Sequence, residues 1–374
     1  MIQNIDANRC TGCGTCVEVC PLDTIRLDPF QEAYPPCRQS CPAGVDVRGV
    51  LFYFKQGMME EVSAYLQDFL PFPAITGLLC HHPCETACAR KGVDQAINIH
   101  GLEYYIGTSC LLKTIRPQPV LHAGKAAVIG SGPAGLSAAY FLSKMGYAVT
   151  VFDSGAEFGG SFLGEVSENR LPMDVLDAQI TAFKAMGISF APHRKLTGDL
   201  SIDDLRDQRF RAIMLATGYN AGLPGEIATD DKKGVKVDPG TLETNIKGLF
   251  AGGGLLDEKL SLVEVIASAR RAAISMDRFL RKEDLRAGRE ADIKKVKRLP
   301  RDGIKQQPRF DPDEGLDNVN AAKEALRCMS CGSTAYIAHP EDCMTCFECE
   351  VKCPSKAIKV HPYKEVMPMT LAIT

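Results

Sequence analysis

The chain is expected to fold as three parts: an α/β domain on a parallel sheet, a small α-helical domain held by cysteines, and an α+β module assembled from both ends of the chain. Three observations predict this. A strand, a glycine turn, a helix and a second strand follow one another across residues 125–153. The 16 cysteines fall almost wholly into short clusters. The first and last clusters have the same spacing. The expected boundaries are 1–28 for the first half of the α+β module, 29–120 for the helical domain and 121–285 for the α/β domain. Residues 286–326 are expected as a linker, and 327–374 as a cysteine pair completing the helical domain plus the second half of the module. A length of 374 residues allows two or three compact domains. Lys and Arg total 43 against 46 Asp and Glu, a net charge of −3 that argues against nucleic acid as the main partner. No apolar run approaches a membrane span. The opening MIQNIDANRC has neither the basic start nor the apolar stretch of a secretory signal, so a cytoplasmic location is expected. In that reducing setting, clustered cysteines bind metal or do redox work.

Cys10, Cys13, Cys16 and Cys20 precede Pro21 with two, two and three residues between them. Cys343, Cys346, Cys349 and Cys353 precede Pro354 with the same gaps. This is the bacterial spacing for [4Fe–4S] clusters: three thiolates on a tight turn hold one cube, and the fourth serves the other cube. Zinc is the alternative, but it favours two separated pairs. A short β-like stretch follows each run, 23–27 and 356–360. Each end therefore reads as half of a ferredoxin-like α+β module. One cluster is expected on Cys10, Cys13, Cys16 and Cys353, the other on Cys343, Cys346, Cys349 and Cys20.

Between the ends stand Cys37 and Cys41-Pro42, then Cys80, Cys84 and Cys88; Cys328 and Cys331 come late. Val45 to Leu70 carries apolar residues at helical spacing (Val47, Val50, Leu51, Phe54) and stops before Pro71. Ile97 to Leu112 also reads as helix. CPAGVDV, LPFPAITGLLCHHPCETAC and IHGLEYYI resemble the α-helical iron–sulfur domain of the small subunit of NADPH-dependent glutamate synthase. Dihydropyrimidine dehydrogenase and the large subunit of bifurcating NADH-dependent ferredoxin:NADP oxidoreductase share it. In those relatives an Arg-Cys-x-x-Cys pair opens the domain; here Arg327-Cys328-Met329-Ser330-Cys331 stands after the α/β region instead. The resemblance implies a cluster on Cys328, Cys331, Cys37 and Cys88, and another on Cys41, Cys80 and Cys84. The fourth ligand of the latter is Glu103, at the family's carboxylate or carboxamide position, or else Cys110.

Lys125 to Leu136 reads as strand, turn and helix start, with Gly130, Gly132, Pro133, Ala134 and Gly135 in the turn. Tyr147 to Asp153 is the next strand and ends in an acid. This is the Rossmann-like fingerprint in context: Gly130 turns, Gly132 admits the pyrophosphate, Gly135 lets the helix pack, and Asp153 is placed for the ribose. The fingerprint alone leaves FAD and NAD open. Gly159-Gly160, Arg170-Leu171-Pro172, Ala216-Thr217-Gly218 and Gly248 to Gly253 stand in the order seen in glutamate-synthase-like flavoproteins. The resemblance therefore implies FAD, held also by Gly160, Arg170, Thr217, Gly218, Gly253 and Gly254. Relatives usually carry an acid where this chain has Gly254. Ser261 to Arg270 reads as the closing helix.

In those relatives a nicotinamide-binding domain with its own glycine fingerprint follows the Ala-Thr-Gly motif. Here about 20 residues separate Gly218 from Val237, and no second fingerprint occurs. The expectation is an electron-transfer subunit with FAD and four [4Fe–4S] clusters, relaying electrons in a larger oxidoreductase. The first choice of complex is a 2-oxoacid:acceptor oxidoreductase. Its partners would be catalytic subunits and a separate NAD(P)H- or ferredoxin-reacting subunit. The alternatives are a self-standing NAD(P)H:acceptor oxidoreductase and a non-catalytic iron–sulfur scaffold. Exposed clusters imply an anaerobic setting. His81 and His82 read as loop residues beside the cluster cysteines. Residues 281–300, with eight basic and four acidic side chains, read as a solvated helix or linker, and 306–320 as a polar linker.

Overall fold

The structure, a computed structural model, describes residues 1–219, 222–231, 234–289, 293–296, 299, 304–310 and 316–360. The N-terminal segment forms β1 (Ile2–Ile5), α1 (Thr15–Val19) and β2 (Ile25–Asp28). Next come short helices α2 (Pro36–Ser40), α3 (Val47–Lys55), α4 (Met59–Gln67), α5 (Pro73–Leu79) and α6 (Pro83–Thr86), then the long α7 (Ile99–Thr114). The stretch expected as helical from Val45 to Leu70 is broken in two. Gly57 takes φ +71°, a left-handed conformation that ends α3 and lets α4 turn back on it. Proline opens α2, α5 and α6 at the first turn, where its missing N–H costs nothing.

The middle of the chain is an α/β domain. It contains β3 (Lys125–Ile129), α8 (Pro133–Lys144), β4 (Ala148–Phe152), α9 (Ser161–Ser167), α10 (Met173–Ala185), β5 (Ser189–Ala191), α11 (Ile202–Asp207), β6 (Phe210–Leu215), β7 (Leu249–Ala251) and α12 (Leu262–Arg281). The strands form one parallel sheet in the order β5-β4-β3-β6-β7. Helix α12 starts on a reciprocal Ser261–Glu264 capping box and packs on α8. The sheet order reverses between β3 and β6, so a ligand crevice opens at their C-terminal ends. Buried apolar residues of this domain and of the helical domain share one core. Phe72 meets Phe162 edge-on at 5.3 Å, and Gln179 donates to the Pro71 carbonyl at 3.3 Å.

The returning segment corrects the expected linker of 286–326. Val296 N–H donates to the Tyr34 carbonyl, and Tyr34 N–H to that of Lys294. Residues 304–310 lie against 93–98, with Arg309 reaching Glu85 at 2.9 Å and the Ala96 carbonyl at 3.2 Å. A further helix, α13 (Asn318–Leu326), packs on α3 and α7. Residues 290–292, 297–298, 300–303 and 311–315 of that linker lie outside the described residues, as does the chain beyond Val360. Then follow β8 (Thr334–Ile337), α14 (Glu348–Lys352) and β9 (Ile358–Val360). The two ends exchange strands: β1 pairs antiparallel with β9, and β2 with β8. A small core of Ile2, Ile25, Ala335, Ile358 and Val360 seals the α+β module. No described helix is long and apolar enough to cross a membrane.

Candidate functional site

Four sets of side chains converge, and each draws on segments distant in sequence. In the terminal module, Cys16 is buried and faces Cys10, Cys13 and Cys353; burial, then these three sulfurs, pushes its thiol up to about 12. The second set in the module pairs Cys20 with Cys343, Cys346 and Cys349 around a recess of about 340 Å³. Burial and the charges of the other three push Cys349 up to about 11. Backbone N–H groups feed these sulfurs: Ala335 N–H donates to Cys10 Sγ at 3.4 Å and Ala357 N–H to Cys353 Sγ at 3.3 Å. The fourth cysteine of each run thus sits with the other run's first three, as the strand exchange requires.

In the helical domain, Cys37, Cys88, Cys328 and Cys331 surround a recess of about 390 Å³. Burial and then its three partners push Cys37 well up. Cys41, Cys80 and Cys84 form the fourth set with Glu103 on α7. Glu103 is 6% exposed, and burial followed by the Glu85 charge raises it to about 8, with Thr76 opposing. Its charge acts on all three thiols, after burial in each case. Cys110 is buried two helical turns further along α7, about 10 Å away by helical rise. Beside this set, His100 Nδ1 lies 2.7 Å from Glu85 Oε1, and the His82 ring lies 4.5 Å from that of His100, tilted by 32°. Burial opposes ionisation of Glu85, yet His100 and Arg309 hold it at about 2. Burial, then the His100 charge, lowers His82 to about 4, while its backbone N–H donates to Cys80 Sγ at 3.4 Å.

Groups of buried, mutually repelling sulfurs are a poor arrangement for free thiolates and a good one for a polynuclear cation. The donor sets therefore fit iron–sulfur centres. No disulfide joins any of these cysteines.

At the crevice between β3 and β6, an added Cβ on Gly130 would stand 2.3 Å from the Ala216 carbonyl oxygen, and one on Gly135 1.8 Å from the Gly130 oxygen. Pro133 is the first residue of α8, which points its N-terminus into the crevice. Gly160, at φ +53°, brings its Cα against Gly132: a Cβ on it would lie 2.6 Å from the Gly132 Cα. The reverse is open, because a Cβ on Gly132 would meet nothing nearer than 3.9 Å. Asp153 Oδ2 accepts from Ser131 N–H at 2.6 Å and Oδ1 from Gly155 N–H at 2.8 Å, which fixes the acid at the end of β4. Thr217 Oγ1, beside Gly218 at the end of β6, is buried with no partner. Gly253 packs on Ala134, and a Cβ on Gly254 would meet nothing nearer than the Tyr219 nitrogen at 3.9 Å. A cradle of close backbones with an orphaned buried hydroxyl fits a dinucleotide. Arg170 instead pairs with Glu165 at 2.6 Å and Glu168 at 2.7 Å, with more than half of its side chain exposed. It reaches the crevice only by leaving those acids.

Local sequence reading missed the buried arginines that fasten the returning segment. Arg90 is held by Asp94 at 2.5 Å and donates to the Arg327 carbonyl at 2.9 Å; Arg327 pairs with Asp94 at 2.9 Å and Glu324 at 2.6 Å. Arg48 donates to the Cys331 carbonyl at 3.2 Å. Only Arg48 gave a sign, since it shares a helix face with Leu51.

Fold and site together define an iron–sulfur protein with a Rossmann-like dinucleotide-binding domain. Residues 4–26 match the 4Fe-4S binding domain, 30–114 the dihydropyrimidine dehydrogenase domain II, 4Fe-4S cluster, and 128–194 the NAD(P)-binding Rossmann-like domain. The chain is 31% identical to the NADP(+)-dependent formate dehydrogenase subunit beta of Moorella thermoacetica, over 57% of this chain and 33% of that one. It is 32% identical to the NADPH-Fe(3+) oxidoreductase subunit beta of Geobacter sulfurreducens, over 53% and 30%. It is 30% identical to the NAD-dependent dihydropyrimidine dehydrogenase subunit PreT of Escherichia coli, over 59% and 56%. The chain thus spans between 30% and 56% of the length of these relatives. The resemblance read from the motifs holds: the homologues are oxidoreductase subunits, and the cysteine-rich helical domain is of the dihydropyrimidine dehydrogenase type.

Proposed function

We propose that this chain is an electron-transfer subunit carrying FAD and four [4Fe–4S] clusters, and that it relays electrons within a larger oxidoreductase. When bound, the flavin exchanges electrons in pairs and the clusters exchange them singly. Gly130, Gly132, Pro133, Ala134, Gly135 and Gly160 would cradle the pyrophosphate, Asp153 would bind the ribose, and Thr217, Gly218, Gly253 and Gly254 would line the flavin end.

The observation that carries this reading is the contiguity of the five sites. His81, next to Cys80, is close enough to Glu264 at the first turn of α12 to help Ser261 hold that carboxyl low. Helix α5, which ends at Cys80, packs on α12, and in this reading the set on Cys41, Cys80, Cys84 and Glu103 is the one that exchanges electrons with the flavin. Cys37 of the next set acts on Cys84. Cys331 of that set is four residues from Ala335, whose N–H donates to Cys10 Sγ in the third. The fourth, around Cys20, reaches the surface at the exposed Cys346. In this reading electrons pass through the sites in that order to the exposed Cys346, where a partner subunit would dock. The partner in this reading is a 2-oxoacid:acceptor oxidoreductase, and co-purification identifies it.

An anaerobic visible spectrum tests the proposal. Dithionite bleaches the protein, and NADH or NADPH alone does not, because the nicotinamide domain is missing between Gly218 and Val237. Prompt bleaching by a reduced nicotinamide gives first place to the self-standing NAD(P)H:acceptor oxidoreductase. Absence of flavin with full iron favours the scaffold. At the fourth ligand, Glu103→Ala removes or converts one cluster in the electron paramagnetic resonance spectrum, and Cys110→Ala leaves all four. The reverse result transfers the role to Cys110.

A further inference from the structure

Arg48 is buried on α3, 2% exposed, and lines the same recess as Cys37, Cys88, Cys328 and Cys331. Its guanidinium donates to the Cys331 carbonyl at 3.2 Å, to the Gln31 carbonyl at 3.0 Å and to Asp46 Oδ1 at 3.4 Å. Asp46 is equally buried and also accepts from Arg38 at 2.9 Å and from the Tyr65 hydroxyl at 3.4 Å. One carboxylate therefore serves two guanidiniums. Arg90, the other arginine lining the recess, is different. It and Arg327 together face Asp94 and Glu324, two cations against two anions. Arg48 thus shares its one carboxylate with Arg38, and a guanidinium does not lose its proton.

We infer that Arg48 is a positioning residue that raises the reduction potential of the cluster on Cys37, Cys88, Cys328 and Cys331. The inference rests on the reading that these four sulfurs hold a cluster. A cube held by four thiolates is negatively charged. Gaining one electron makes it more negative by one charge, with no bond made or broken. A fixed cation buried beside it stabilises the reduced form more than the oxidised form, and burial keeps solvent from screening the effect. The neighbouring set instead holds a carboxylate, Glu103, among its sulfurs. Arg48 therefore separates the potentials of two adjacent sites, making its own the better electron acceptor. It also spans the join between residues 31 and 331, so the charge is fixed by the segment that brings Cys328 and Cys331.

The test is an anaerobic dithionite titration of the full chain with its metal centres, followed by electron paramagnetic resonance. Arg48→Met lowers the midpoint of one cluster and leaves the others; Asp46 remains paired with Arg38. Arg48→Lys keeps the charge and restores most of the midpoint. Asp46→Asn removes the counter-charge and raises the same midpoint. Unchanged midpoints in Arg48→Met and Asp46→Asn at full iron content overturn the inference. If Arg48→Met assembles without iron, Asp46→Asn decides: a raised midpoint upholds the role and an unchanged one removes it. Failure of the underlying site shows separately, as retention of every cluster in Cys331→Ala.

Discussion

Cys331→Ala is expected to cost the protein one cluster, about a quarter of its iron, and to loosen the returning segment from the helical domain. Cys331 and Cys328 come from more than two hundred residues beyond their partners Cys37 and Cys88. A centre bound by all four closes a very long loop. Opening such a cross-link costs on the order of 3 kcal/mol or more, because the ligands have no preformed site once the chain separates. The arginine contacts at Arg48, Arg90 and Arg327 keep the segment near but do not replace the centre. Iron per chain, measured anaerobically, falls by one cluster's worth; the rate of proteolysis within 304–331 rises. A variant with full iron and unchanged proteolysis shows that Cys331 is no ligand.

Gly132→Ala is expected to abolish flavin binding in a chain that still folds. Its new methyl meets nothing closer than 3.9 Å in the protein, yet it stands on the turn that opens α8, where a pyrophosphate would lie. Gly135→Ala does the opposite kind of damage. Its methyl would lie 1.8 Å from the Gly130 oxygen, so α8 must move off β3, at a cost of about 1–3 kcal/mol or more. The measurements are flavin per chain and thermal midpoint. Gly132→Ala loses flavin by tenfold or more with an unshifted midpoint and unchanged iron. Gly135→Ala lowers the midpoint as well. Full flavin in Gly132→Ala means that the dinucleotide does not lie across these glycines.

What was legible in the sequence was local. The spacing of Cys10 to Cys20 and of Cys343 to Cys353 is a property of one turn each, so the clusters were legible without a fold. The exchange of Cys20 and Cys353 was legible too, because the geometry of a run already turns its fourth sulfur away. The glycine fingerprint was equally local: the conformations of Gly130 to Gly135 and the acid at Asp153 belong to one strand–turn–helix–strand unit.

The break of the Val45–Leu70 helical stretch at Gly57 was not legible, since a lone glycine is tolerated in many helices. The ordering of the returning segment was not legible either. Residues 304–310 and 317–326 are polar and look solvated, but their polar groups are satisfied by Asp94, Glu85 and Asn98, which lie more than two hundred residues earlier. The partners of Arg48, Arg90 and Arg327 were not legible for the same reason. Their partners are carbonyls and carboxylates that only the fold brings within 3 Å or so.

The sequence by itself determined which chemistry the chain carries, because thiolate spacing and glycine turns act over a few neighbouring residues. Only the tertiary structure decided which distant cysteines share a recess, the pairing of Arg170 with Glu165 and Glu168, and the burial of Arg48. These depend on which distant side chains share a buried space, and burial there fixes both the partners and the strength of each charge.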